Sequence, residues 1–145
     1  MTVEIREHFS DIKDFIYTIA GSKHTIVRNM IKQAEKLVPL ENVECIYVKN
    51  LYHEDEAERD FYFLSKESIY IISAVDSDIK IQVVKEPKIK DINLTIVNGN
   101  EDLLKLNIEF LNEVKMEFDS FADSNSNWYP KYSKLIKEIF EMYTS

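Results

Sequence analysis

The chain has 145 residues, 45% of them apolar and 30% charged, the balance of a folded globular domain rather than a disordered segment. Its formal net charge of −8 provides no bulk positive field for phosphates, so nucleic acid and anionic membranes are excluded as expected partners. Cys45 is the only cysteine, which excludes an internal disulfide and a cysteine-based zinc cluster.

No apolar run approaches the ~20 residues that a membrane-spanning helix needs. The start, Met1 to Glu7, is acidic and amphipathic, unlike a signal peptide, and a cytoplasmic location is expected. Among the basic residues only Arg6, Arg28 and Arg59 are arginine; that lysine bias, beside abundant Ile and Asn, suggests a bacterial source.

In chain order, Ile5, Phe9, Ile12, Ile16 and Ile19 recur at helical spacing and predict a helix over 3–20, stopped at Gly21. Val27, Met30, Ile31, Ala34, Leu37 and Val38 predict a second helix over 24–38, closed by Pro39. The short turn between them implies an antiparallel hairpin. An acidic stripe (Glu4, Glu7, Asp11, Asp14) and a basic one (Arg28, Lys32, Lys36) are placed to face each other across it.

From residue 42 the apolar period shortens from 3.6 to 2. Val43, Cys45 and Tyr47 open a strand, and Phe61–Leu64 and Ser68–Ile72 flank a short turn. Alternation then continues through Ile79–Val83, Ile92–Ile96, Leu104–Phe110 and Val114–Phe118, the pattern of strands with one buried and one wet face. Turns are signalled at Asp76-Ser77-Asp78, Glu86-Pro87, Asn98-Gly99-Asn100 and Leu111-Asn112. Seven strands are expected. A polar loop, Asp123 to Asn127, leads into a last helix with Pro130 in its first turn and an aromatic-rich apolar face.

Seven antiparallel strands followed by one such helix resemble the pleckstrin-homology-like barrel. The segment Phe63-Leu64-Ser65-Lys66-Glu67-Ser68-Ile69-Tyr70-Ile71 is similar to a strand–turn–strand of bacterial members, and Ile89-Lys90-Asp91-Ile92-Asn93-Leu94 to a later strand. The resemblance implies a PH-like domain at 41–145 and leaves the helical hairpin at 1–40 outside it; with the hairpin packed on that domain, an α+β protein is expected. That domain would be a seven-stranded antiparallel barrel or sheet capped by the C-terminal helix, with Trp128 and Tyr132 plugging its end. In lipid-binding members Lys and Arg flanking the loop between the first two strands contact the headgroup. Here Glu54, Asp55, Glu56 and Glu58 make that loop acidic, so a headgroup phosphate would be repelled.

The remaining motifs have plainer readings. His53-Glu54-Asp55-Glu56 lacks the spacing and turn glycine of a metal loop and reads as solvated acid. Asp76-Ser77-Asp78 reads as a hairpin turn, His8 and His24 as helix-surface residues, and Cys45 as a small buried hydrophobe. Gly21 and Gly99 cannot build a phosphate loop, and Asp60, Glu67 and Asp91 have no spacing that marks an acid–base pair. No catalytic, metal or cofactor site is therefore expected. The leading expectation is a non-enzymatic module that binds an unidentified protein or peptide, at an open sheet edge or at Tyr52, His53, Glu54, Asp55 and Glu56. Two other readings are an acidic immunity-type or antidote inhibitor of a basic protein, and an enzyme of unrecognised type.

Overall fold

A computed structural model describes residues 3–19, 25–52 and 58–145. The fold is α+β: helices α1 (Val3–Ile19) and α2 (Thr25–Leu37), a 3-10 turn at Leu40–Asn42, seven strands, and the terminal helix α3 (Tyr129–Thr144). The strands are β1 (Cys45–Val48), β2 (Phe61–Leu64), β3 (Ser68–Val75), β4 (Asp78–Lys85), β5 (Ile89–Val97), β6 (Asn100–Phe110) and β7 (Lys115–Asp119). Both sheets of this structure are antiparallel where register is defined. Their hydrogen-bonded ladders do not form the single seven-stranded sheet or closed barrel that the sequence suggested. They fall into a four-stranded sheet, β1-β2-β3-β4, and a three-stranded sheet, β5-β6-β7. The break comes where Glu86 takes a positive φ of 49° and Pro87, which has no N–H to donate, follows.

The chain divides into two compact units, Met1–Val84 and Lys85–Ser145. The boundary read from the sequence at 40/41 lies inside the first of these. In that unit Ile5, Phe9, Ile12 and Ile16 of α1 and Val27, Met30, Ile31 and Ala34 of α2 are buried. They share one core with Ile46, Val48, Phe61, Phe63 and Ile72 of the sheet. Lys13 pairs with Glu35 at 3.3 Å, and the Arg28 guanidinium lies 5.5 Å from the Tyr17 ring centre, so the helices run antiparallel. The ion pair that joins them thus takes its cation from α1 and its anion from α2, the reverse of the expected stripes. It is half-exposed and contributes at most about 1 kcal/mol. Each fully buried Ile contributes about 2 kcal/mol, so the apolar stripes hold the hairpin in place. On the other face of the sheet Cys45, Tyr47, Tyr62, Leu64 and Ile69 are buried too, which is why β1 and β2 read as continuous rather than alternating apolar runs.

The second unit is a β-meander carrying one helix. Leu104, Leu106, Ile108 and Phe110 of β6 and Met116 and Phe118 of β7 are buried, as are Tyr132, Ile136 and Ile139 of α3. Ser133 of α3 donates to Asp102 Oδ1 (3.1 Å), and Phe110 meets the Tyr143 ring edge-on. Phe110 lies on the even-numbered face of β6 with the buried Leu104, Leu106 and Ile108, so α3 covers that face. Pro130 sits in the first turn of α3, as its missing N–H allows.

Candidate functional site

The residues singled out from sequence are dispersed. His53, Glu54, Asp55 and Glu56 lie outside the described residues, as do Gly21 and His24. Tyr52 is half-buried, its ring 4.9 Å from Phe15 of α1 and packed on the core of the first unit. The base of its loop is tied: Lys49 N–H donates to Asp60 O (3.0 Å) and Asn50 Nδ2 to Glu58 O (2.9 Å). Arg59, which follows the acidic run of the loop, is only 2% exposed and donates through Nε to Leu51 O. Asp60 and Glu67 stand at opposite ends of β2, whereas Asp91 belongs to the second unit. Cys45 is buried in β1. Among the described residues no three His, Cys, Asp or Glu side chains gather for a metal ion, and no helix is long and apolar enough to cross a membrane.

The feature that sequence reasoning missed lies in the second unit. A cleft of about 520 Å³ opens at the end of the three-stranded sheet, with apolar walls from Val97, Leu103, Phe121, Ala122 and Tyr129. Phe121 is 51% exposed and Val97 49%, and the Phe121 and Tyr129 ring centres are 6.0 Å apart. The local chain dictates this arrangement. Ladder register shifts between Ile96 and Val97, so Ile96 pairs with Leu104 but Val97 with Asn100. Residues 101–103 therefore leave the ladder, and Leu103 comes to line the cleft.

Phe121 is held out by a tightly bonded turn. Asp119 Oδ1 accepts from the N–H groups of Phe121 (3.0 Å) and Ala122 (2.9 Å). Asp123 Oδ2 accepts from Asp119 N–H (2.8 Å), and Asp123 N–H returns to Asp119 O (3.0 Å). Ser124 Oγ donates to Ser120 O, and Ser124 N–H to Phe121 O. An exposed aromatic on such a turn is pre-positioned and loses little entropy when covered. Its sequence signal was a lone bulky aromatic between Asp119 and Asp123, in a stretch otherwise written as a turn.

The polar wall is a cross-strand row, Thr95–Lys105–Asp119, set by register on the odd-numbered face of the sheet. Lys105 pairs loosely with Glu117 at 3.9 Å, both side chains largely exposed. Trp128, expected as part of the core, is instead 38% exposed. It precedes the first turn of α3, and Lys131 lies over its ring at 5.7 Å. Tyr132, one turn on, is buried as expected.

A family described as a protein of unknown function (DUF3908) matches residues 8–134, and the chain belongs to that family. Neither a curated protein nor a solved structure matches it.

Proposed function

We propose that this DUF3908 member is a bacterial, cytoplasmic, non-enzymatic module that binds a protein or peptide segment, with the cleft beside Phe121 as its recognition site. The carrying observation is Phe121 itself: a half-exposed aromatic fixed by a hydrogen-bonded turn over an apolar cleft. Aromatic anchors of this kind supply much of the energy of protein recognition. Strand order supports a PH-like relationship, four strands, then three, then a terminal helix. Fold analogy says nothing of the ligand, so the functional reading rests on the cleft.

The test is selection from a random peptide display library, with Phe121→Asp as the counter-selected variant. Sequences retained by the wild-type protein and not by Phe121→Asp are expected. A selection that enriches nothing, or that enriches peptides bound equally by both proteins, overturns this reading.

A further inference from the structure

Resting on that reading, we infer that the cleft takes a single large apolar side chain presented on an uncharged peptide backbone, and not an anionic or cationic head. The argument is one of charge complementarity. The wall places a donor, Lys105, and an acceptor, Asp119, side by side in one cross-strand row, with the Thr95 hydroxyl beyond. Asp119 spends Oδ1 on two backbone N–H groups, which leaves Oδ2 to accept from a ligand. The nearest ion partner of Lys105 is a loosely held, exposed Glu117 at 3.9 Å, so its ammonium remains able to donate.

One extended residue answers both groups at once, its own C=O accepting from Lys105 and its own N–H donating to Asp119. A carboxylate or phosphate would gain Lys105 but meet Asp119 with like charge, and an ammonium would meet the converse. Volume sets the size of the anchor. About 520 Å³ is within the range of small-molecule pockets, enough for one aromatic side chain and its flanking amides. Phe121 and Tyr129, tilted at 55° with centres 6.0 Å apart, offer a third ring both an edge and a face.

Three probes that share one phenyl body separate the possibilities: N-acetyl-phenylalanine amide (neutral), 3-phenylpropionate (anion) and phenethylamine (cation). Each is titrated at millimolar concentration into the full chain and followed through backbone amide shifts. The neutral amide is expected to move Val97, Leu103, Lys105 and Ala122, and to bind about fivefold more tightly than either charged probe, the worth of one additional hydrogen bond. Lys105→Gln, a change at an exposed strand position that leaves the apolar walls intact, removes the one group an anion gains and the one a cation is repelled by, so it is expected to widen the preference over 3-phenylpropionate and narrow that over phenethylamine. A charged probe binding as well as the amide overturns the inference, as does a neutral probe that leaves the cleft resonances in place. If displayed peptides bind through Phe121 while the fragment does not, this inference fails and the peptide-binding reading stands. If sedimentation shows self-association that Phe121→Asp abolishes, the occupant is a second copy of the chain and the inference is overturned.

Discussion

Residues that look alike in the sequence differ in how hard the fold leans on them, and two serines of the second unit make the contrast measurable. Ser120 is fully buried; its Oγ donates to Asp102 O (2.7 Å) and accepts from Leu104 N–H (3.1 Å). Ser133, also buried, donates to one oxygen of Asp102, a carboxylate that solvent can still reach. Ser120→Ala strands a buried N–H and a carbonyl and should cost about 1–3 kcal/mol. Ser133→Ala should cost below about 1 kcal/mol, because water can replace its hydroxyl at Asp102. Urea unfolding midpoints at unchanged m-value are the measure. Equal losses for the two variants would show that Ser120 is not the one holding the β6–β7 junction. The same scale explains Arg28, read from sequence as part of a basic stripe facing the acids of the first helix. Its guanidinium lies against the Tyr17 ring, and Nε is buried without a hydrogen-bond partner among the described residues, so it serves packing more than surface charge.

At the scale of elements, the sequence was most legible where a single periodicity met a clear stop. The spacing of Ile5, Phe9, Ile12 and Ile16 gave α1, and alternation from Ile92 to Phe118 gave β5, β6 and β7 with their buried and wet faces. The β3–β4 turn was legible as chemistry too. Asp76 and Ser77, the two residues between Val75 and Asp78, have φ of 51° and 71°, the left-handed pair of a two-residue hairpin turn. Serine bears that conformation less easily than glycine. Ser77→Gly is therefore expected to stabilise the protein by about 0.5–1 kcal/mol, the relief of left-handed strain less the added chain entropy of glycine. A thermal midpoint that stays level or falls in this variant would contradict the turn assignment. What alternation could not show was where the ladders part, because the pattern on either side of Glu86-Pro87 is the same. Nor could it reveal the cleft. Exposure of Phe121 follows from side-chain bonds of Asp119 and Asp123 to the turn's backbone, and exposure of Val97 and Leu103 from a register shift; neither is periodic.

At the scale of the whole molecule, charge decides which large partners are admissible. Residues 1–84 carry ten basic against fifteen acidic side chains, and residues 85–145 eight against eleven, so neither unit is a basic surface. Of the Arg28/Lys32/Lys36 stripe, Lys32 and Lys36 are exposed, while Arg28 is half-buried against Tyr17. Each basic residue near an anionic leaflet is worth about 1 kcal/mol, so two lysines supply roughly 2 kcal/mol before any repulsion is counted. Repulsion is close at hand: Glu35 lies between them on the same helix, and Glu4, Glu7, Asp11 and Asp14 line α1. The acidic Glu54-Asp55-Glu56 segment, whose placement lies outside the described residues, adds to the same sign. Vesicles containing phosphatidylserine and phosphoinositides should therefore fail to sediment the protein at physiological salt. Co-pelleting that weakens as salt is raised would overturn this expectation, and its loss in a Lys32→Ala/Lys36→Ala variant would assign the contact to α2.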